Sequence, residues 1–160
     1  MKFFSSNLRS LFRKLTYNNN MTKLNLTPHH FAISVVNFDE TVKWYSEKLG
    51  FELVSSFERL GATIGFMKLG ELHLEVFSFD ESAPLPDYRK ELLSDLKVNG
   101  IKHFAFAVDD IKEATNILKN KGVEFIQEPL LGGAGHLYAF FVDLNGIMIE
   151  LFESEPHKGE

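Results

Sequence analysis

Apolar and polar positions alternate with two different periods along the chain, and the change from one period to the other occurs twice. Residues 31–36 and 104–108 alternate with a period of two, as half-buried strands do, whereas residues 39–49 and 110–121 carry apolar residues at helical spacing. Three further strand-like stretches follow each helix, at residues 51–57, 62–69 and 71–79 and at residues 123–127, 137–142 and 146–152. The pattern therefore predicts a βαβββ unit that occurs twice.

The ends of these elements carry suitable residues. Gly50 and Gly122 stand where a helix ends in a left-handed residue, and hairpin turns are predicted at residues 69–70 and 145–146. The second of these turns is an Asn-Gly pair, which is typical of two-residue hairpins. The candidate helix caps are Asn37 or Asp39 for the first helix and Asp109 or Asp110 for the second.

The two units also share sequence. The matching blocks are HFA at 30–32 and 103–105, KLGFELV at 48–54 and NKGVEFI at 120–126, and LHLEVF at 72–77 and IMIELF at 147–152. The offsets are 73, 72 and 75 residues. Three matches in the same order indicate two copies of one module, with a period longer than that of solenoid repeats.

These boundaries predict one α+β domain over residues 28–153, in which two paired βαβββ modules form a cleft-shaped mixed sheet around a common site. Module 1 takes residues 28–79 and module 2 takes residues 100–153. The linker at residues 80–99 contains two prolines and a short helix-like stretch at residues 88–96. A chain of 160 residues suits a single domain of this kind.

Residues 1–22 differ from the rest of the chain. Five basic residues occur up to residue 23, and no acidic residue precedes Asp39. The apolar residues of this leader have helical spacing, which is typical of an organellar transit segment, but they form no run long enough for a secretory signal. A disordered leader before a natural start at Met21 is the alternative. We therefore predict a cytoplasmic protein, or a mitochondrial one if residues 1–22 are a transit segment, and in both cases a leader dispensable for folding.

Composition and charge exclude several classes of site and partner. The chain has no cysteine, so it has no disulfide and no thiolate-bound metal. Residues 24–160 contain 12 basic and 22 acidic residues, a balance of −10, which makes a nucleic-acid backbone a poor ligand. No apolar run approaches the ~20 residues that span a bilayer. The expected partner is a small-molecule substrate, with neither nucleic acid nor a membrane involved.

Strand parity places one histidine and one glutamate of each module on the same open face. His30 and His103 open the first strand of each module and are followed on their face by small residues only. Glu75 and Glu150 lie on the last strands between apolar neighbours, where a carboxylate is costly unless it is paired or bound to a cation. Each module therefore offers one imidazole and one carboxylate as metal ligands.

The four side chains converge if the modules pair about a pseudo-twofold axis, within one chain or across a dimer. Two imidazoles and two carboxylates suit a divalent ion such as nickel, cobalt, manganese, iron or zinc. Each open face needs a second module to complete the ligand set. We therefore predict a homodimer or a closed two-module monomer.

The βαβββ repeat, with HFA near the start of each copy and LEVF or IELF at its end, resembles the vicinal oxygen chelate superfamily, also called the glyoxalase, bleomycin-resistance and extradiol dioxygenase superfamily. The segment YAFFVDLNGIMIE at residues 138–150 is similar to the closing motif of that family. The resemblance covers residues 28–153 and implies the same four metal ligands. Two histidines and two glutamates are the set typical of glyoxalase I.

The resemblance implies a metal-dependent lyase or isomerase that acts on a small substrate with vicinal oxygens. The metal polarises those oxygens, and a carboxylate moves a proton at the neighbouring carbon. Glu150 is the expected base, with Glu75 as the symmetric alternative. Two alternatives stay open: an iron-dependent, dioxygenase-like oxygenase, and a non-catalytic small-molecule binding or resistance protein.

Three further residues are expected to contact substrate. His73 shares the strand face of Glu75, and a tyrosine at the position of Tyr138 often touches substrate in this superfamily. Ser34 occupies the position at which glyoxalase I carries an arginine that holds glutathione. This departure predicts a compact, partly apolar substrate and poor turnover of glutathione hemithioacetal.

Overall fold

The computed structural model describes residues 26–156, so the predicted leader at residues 1–22 lies outside the described residues. Within that range no helix is long and apolar enough to cross a membrane. The first module consists of β1 (His30–Val35), α1 (Phe38–Leu49), β2 (Glu52–Arg59), β3 (Ala62–Leu69) and β4 (Leu72–Phe79). The linker contains a 3₁₀ turn (Asp87–Arg89) and α2 (Leu92–Leu96). The second module consists of β5 (Phe104–Val108), α3 (Ile111–Asn120), β6 (Glu124–Leu131), β7 (Leu137–Val142) and β8 (Met148–Glu153).

The strands form two four-stranded mixed sheets, with the orders β1-β4-β3-β2 and β5-β8-β7-β6. In each sheet the first and last strands of the module are parallel neighbours, and the other pairs are antiparallel. The α+β class and the paired βαβββ modules are thereby confirmed. This strand order brings β1, which begins at His30, beside the strand that carries Glu75, and β5, which directly follows His103, beside the strand that carries Glu150.

The helix ends select one cap from each predicted pair. The Glu40 N–H donates to Asn37 Oδ1 at 3.1 Å, and the Glu113 N–H donates to Asp110 Oδ1 at 2.9 Å. The predicted glycine after each helix has a φ of 80°. Because each cap satisfies a free N–H group of the first turn, α1 begins at Phe38 and α3 begins one residue after Asp110.

The prediction for the turn between β3 and β4 is wrong by one residue. The turn consists of Gly70 and Glu71, since Leu69 pairs with Leu72 across the hairpin. A left-handed Gly70, with a φ of 57°, is therefore the first central residue of the turn rather than the second.

The two-residue turn predicted at residues 145–146 is also wrong. The Gly146 N–H donates to the carbonyl of Asp143 at 3.0 Å, and the Asp143 N–H donates to the carbonyl of Ile147 at 3.1 Å. The Asp143 side chain explains this wider loop, because its Oδ1 accepts from the backbone N–H groups of Asn145 and Ile147, each at 2.8 Å.

Strand parity separates the two faces of each sheet as predicted. In β1, Ile33 and Val35 are buried, whereas Ala32 and Ser34 are exposed. The helix-covered faces of both modules join in one hydrophobic core, so the two modules fold as one unit. Buried members of this core include Ile33, Val35, Tyr45, Phe51, Met67, Leu74, Val76, Ile111, Leu118, Phe141, Ile149 and Leu151.

A pair of phenylalanines and a pair of lysines contact each other where the modules meet. The ring centroids of Phe31 and Phe104 lie 4.1 Å apart. Lys121 Nζ donates to the carbonyl of Lys48 at 2.9 Å, and Lys48 Nζ donates in return to the carbonyl of Lys121. Phe31 and Phe104 correspond in the repeat, at the offset of 73 residues, so a pseudo-twofold axis passes between them, and the reciprocal lysine contacts also join the two modules. The predicted histidine ligands directly precede the two phenylalanines and flank the same axis on the open faces.

A buried polar contact also joins the modules. The Tyr45 hydroxyl of α1 donates to Asp143 Oδ2 at 3.1 Å, and both residues are almost completely buried. Burial, followed by the charge of Asp143 and the hydrogen bond to it, raises the pKa of Tyr45 well above its ordinary value. Burial also raises the pKa of Asp143, against the opposing effect of the hydrogen bonds that its carboxylate accepts.

We expect Tyr45→Phe to lower the free energy of unfolding by about 1–3 kcal/mol, because a buried acceptor of Asp143 loses a donor. In the wild type, the protonated phenol of Tyr45 contributes its full stability below about pH 10, the ordinary pKa of tyrosine in the unfolded chain. This contribution is lost as the pH rises from there towards the raised pKa of Tyr45 in the folded chain, because in that range the phenol ionises only in the unfolded chain. Urea unfolding at pH 8 and above pH 10 measures both effects. Tyr88→Phe, at an exposed tyrosine, is the matched control; an equal alkaline loss of stability in Tyr45→Phe would contradict the assignment.

Candidate metal centre

The first predicted ligand pair is formed by adjacent parallel strands. His30 lies opposite His73 in the register of β1 and β4, and Glu75 lies two residues further along β4 on the same face. His30 Nε2 is 3.2 Å from Glu75 Oε2. The side chain of His30 is 38% exposed and that of Glu75 is 18% exposed, so both are accessible from the cleft. Their backbones are fixed by the pairing of β1 with β4.

The second pair repeats this arrangement. Glu150 of β8 lies opposite Ala105 of β5, and Ala105 is two residues after His103. His103 Nε2 is 3.0 Å from Glu150 Oε2, and the side chains are 24% and 18% exposed. The other ring nitrogen, His103 Nδ1, is buried and has no hydrogen-bond partner among the described residues. The imidazole is therefore oriented by Glu150 and by its packing.

A phenylalanine that the sequence analysis missed packs on each imidazole. The rings of His30 and Phe66 are 5.9 Å apart and those of His103 and Phe140 are 4.9 Å apart, both edge to face. Phe66 lies opposite Glu75 and Phe140 lies opposite Glu150 in their strand registers. The repeat itself could have identified these residues, because they are 74 residues apart, within the range of the other offsets.

Of the predicted substrate residues, His73 lies opposite His30, and Ser34 lies on β1 two residues beyond the position opposite Glu75. The ring of His73 stacks on that of His29 at 5.2 Å, and His29 Nδ1 is 2.8 Å from His30 Nδ1. Ser34 is exposed on the open face of β1, opposite Phe77. His29 is a residue that the sequence analysis did not assign to the site, since it precedes the strand and parity does not apply to it.

Tyr138 belongs to the second half of the site. It pairs with Phe152 across β7 and β8, two residues from the pairing of Phe140 with Glu150. Its ring contacts Phe140 edge to face, with 5.9 Å between the centroids. Tyr138 therefore lies on the face that carries Glu150, one residue pair further from His103.

The donor set of each pair fits a divalent ion. An imidazole nitrogen and a carboxylate oxygen at 3.0–3.2 Å have the separation of two neighbouring ligands about 2.1 Å from one ion and about 90° apart. His30, Glu75, His103 and Glu150 are the residues that would hold the ion.

In the single chain the four side chains are present as two pairs. Among residues 26–156, no group of three or more histidine, aspartate or glutamate side chains is close enough to hold a metal ion. Glu150 is instead hydrogen-bonded to His103, and the Glu75 carboxylate lies 3.2 Å from His30 Nε2 of its own module. Both histidines nevertheless line one cavity beside the pseudo-twofold axis.

Three known proteins are similar to this chain over most of its length. The uncharacterized protein YaeR of Escherichia coli is 31% identical over 128 residues, which cover 78% of this chain and 94% of that protein. Human mitochondrial methylmalonyl-CoA epimerase is 25% identical over 138 residues, with coverages of 82% and 74%. A probable lactoylglutathione lyase of Vibrio parahaemolyticus is 29% identical over 131 residues, with coverages of 79% and 89%.

A solved structure and a family model agree with these similarities. The structure of a glyoxalase family protein from Enterococcus faecalis matches with a TM-score of 0.68 and 32% identity, and covers 79% of this chain and 97% of that protein. The model of the Glyoxalase/Bleomycin resistance protein/Dioxygenase superfamily matches residues 27–151, which include both His–Glu pairs. The chain therefore belongs to the Glyoxalase/Bleomycin resistance protein/Dioxygenase superfamily.

Proposed function

We propose that the chain holds a divalent ion between its two His–Glu pairs and catalyses a lyase or isomerase reaction on a small substrate with vicinal oxygens. The observation that supports this proposal is the repetition of one imidazole–carboxylate pair at equivalent positions of both modules, on faces that flank one axis. A structural histidine would not need a carboxylate partner in both copies of the module.

The bound ion would act as a Lewis acid that polarises the substrate oxygens and makes a neighbouring C–H group acidic. Glu150 would accept that proton on a carboxylate oxygen and later return it to the substrate, and Glu75, across the pseudo-twofold axis, is the alternative base. Phe66 and Phe140 pack edge-on against the imidazoles and keep both rings oriented. The small residues beside each histidine leave space for the substrate.

The names of two relatives support this class of reaction. One is an epimerase and one is a probable lyase, and both names describe isomerase or lyase chemistry, which a carboxylate beside a polarised carbonyl supports. We therefore place proton transfer at carbon ahead of oxygenase chemistry and of binding without turnover.

Deuterium incorporation tests the proposal directly. The full chain, loaded in turn with nickel, cobalt, manganese, iron or zinc, is mixed in deuterated water with methylmalonyl-CoA, with methylglyoxal–glutathione hemithioacetal and with a catechol. We expect metal-dependent exchange at carbon with one of the first two compounds. Consumption of oxygen with the catechol, or no turnover of any compound while metal is bound, would contradict the proposal.

We expect glutathione hemithioacetal to be a poor substrate, with kcat/KM below ~10⁵ M⁻¹s⁻¹. Ser34 is exposed on the cleft face, and its hydroxyl cannot replace the bidentate fork with which an arginine holds a carboxylate. Ser34→Arg should therefore raise this kcat/KM about tenfold or more at unchanged metal content. Ser34→Gln, which adds length without charge, is the control, and an equal gain in both variants would show that charge is not the cause.

We also propose that each complete site lies within one chain, because both histidines line one cavity and their neighbouring phenylalanines are in contact. The test uses two double variants, His30→Ala with Glu75→Gln and His103→Ala with Glu150→Gln. We expect a mixture of the two, refolded together, to bind no more metal than the variants do alone. Recovery of about half of the sites in mixed dimers would instead show that the sites are shared between subunits. The homodimer itself stays a prediction, which light scattering measures.

A further inference from the structure

The linker forms one wall of the cavity that adjoins the metal centre. This cavity has a volume of about 840 Å³ and extends from His30 and His103 along β1 to the segment at residues 82–86. Leu85 of that segment packs against Gly146. A Cβ added at Gly146 would lie 3.3 Å from Leu85 Cδ2. The linker is therefore packed against the second module where the cavity ends.

Three charged side chains of this wall form one cluster. Asp95 of α2 is 2% exposed. Arg89 Nε is 3.4 Å and Lys102 Nζ is 3.3 Å from the same Asp95 oxygen. All three side chains line the cavity, and the charge of the cluster is +1.

The cluster is held in place from two sides. Arg89 Nη2 donates to the carbonyls of Ile101 and Lys102 at 3.5 and 3.4 Å, which ties the linker to the residues that precede β5. The buried carboxylate of Asp95 fixes both cations at the cavity wall. A buried carboxylate needs one cation to neutralise it, so the second cation is in excess.

The surplus positive charge contrasts with the rest of the molecule. Residues 24–160 carry a formal balance of −10, yet the permanently charged residues that line this cavity are Arg89, Asp95 and Lys102. The remaining lining of the linker wall is uncharged: Ser82, Ala83, Pro84, Leu85 and Pro86. In such a cleft the potential of a cation is screened less than at an open surface.

The position of the linker also removes the symmetry of the cleft. The pseudo-twofold axis relates the two modules, but the linker that joins them occurs only once in the chain. Arg89 and Lys102 therefore lie at one end of the cleft, and among residues 26–156 the other end has no counterpart of the linker. Lys102 is 18% exposed and uses one of its three N–H donors on Asp95 within the described residues. That ammonium group has donors available to a ligand in the cavity.

From these observations we infer that Arg89 and Lys102 form an oxyanion subsite, which binds a carboxylate or phosphate group of the substrate away from the reacting carbon. Asp95 is the positioning residue that holds both cations. The inference rests on the proposed function in treating this cavity as the substrate site. It assigns to the linker the role of fixing which end of the substrate enters the cleft.

Titration of the metal-free full chain tests the subsite without activity, because anions then have no metal to ligate. The probes are inorganic phosphate, acetate and neutral acetamide. Binding of each probe is monitored through the backbone amide NMR signals of residues 89, 95 and 101–103. We expect saturable shifts with phosphate or acetate and none with acetamide. The tighter of the two anions identifies the group as phosphate or carboxylate.

Matched variants decide whether the cluster is responsible. Lys102→Gln leaves Arg89 on Asp95 and should weaken anion binding at least fivefold, and Arg89→Gln, which leaves Lys102, is a second variant in case the first is unstable. Lys90→Gln removes the same charge from an exposed linker lysine that pairs with Asp87 and should change binding less than twofold. Equal effects of Lys102→Gln and Lys90→Gln, or binding of acetamide like acetate, would overturn the subsite. Loss of metal binding or proton transfer would overturn the proposed function and leave this result unaffected.

Discussion

Glu150→Gln is expected to lower the rate of metal-dependent proton exchange by about 10²–10⁴-fold, because a positioned general base contributes that much to a proton transfer. Glutamine keeps the size of the side chain and its ability to accept a hydrogen bond from His103, but it cannot take up the proton. The exchange rate is measured by NMR in deuterated water at saturating metal.

The control for this prediction is Glu155→Gln, which makes the same substitution at an exposed position beyond the end of β8. Glu75→Gln distinguishes the two carboxylates. If Glu75→Gln abolishes exchange while Glu150→Gln retains it, the base is Glu75 and the assignment by resemblance is wrong.

The second large effect concerns the metal itself. We expect each chain to bind one divalent ion. His103→Ala should lower the affinity for that ion at least about 100-fold, because loss of a residue that hydrogen-bonds to a metal ligand already costs about 10–100-fold and loss of the ligand itself costs more. The variant also leaves Glu150 without the imidazole that lies 3.0 Å away. Competition with a chromophoric chelator measures the affinity.

His136→Ala is the matched control for the loss of an imidazole. Its Nδ1 is 2.9 Å from the carbonyl oxygen of Glu153, and its ring stacks on Phe152, outside both His–Glu pairs. Metal affinity should be unchanged in this variant. Equal metal content in the wild type and in His103→Ala would refute the proposed centre.

Much of the fold was predictable because it depends on local periodicity. Side chains alternate between the faces of a strand whatever the rest of the protein does, so Ile33 and Val35 were assigned to the core and Ala32 and Ser34 to the open face, as observed. The same alternation placed each histidine and glutamate on one face. The internal repeat then predicted that both modules have the same arrangement.

The exact helix caps and turns were less predictable. The sequence left Asn37 and Asp39 as equal candidates for one cap, and the cap bond to the Glu40 N–H selected Asn37. The turn at residues 145–146 was misplaced because the Asp143 side chain, which also accepts from Tyr45 98 residues earlier, sets a wider loop. A short-range turn rule does not contain such a bond.

The sequence by itself determined the two modules, their open faces and the residue types that a divalent ion requires, since each of these follows from the order of side chains along one strand or from comparison of the two halves. Only the tertiary structure decided that Phe66 and Phe140 pack on the imidazoles, that Phe31 meets Phe104 at the axis, and that the linker brings Arg89 and Lys102 together at Asp95. These contacts depend on strand register and on how the modules and the linker pack. Strand register and the packing of the modules and the linker are set by the burial of apolar surface over the whole chain, which cannot be predicted from a local sequence pattern.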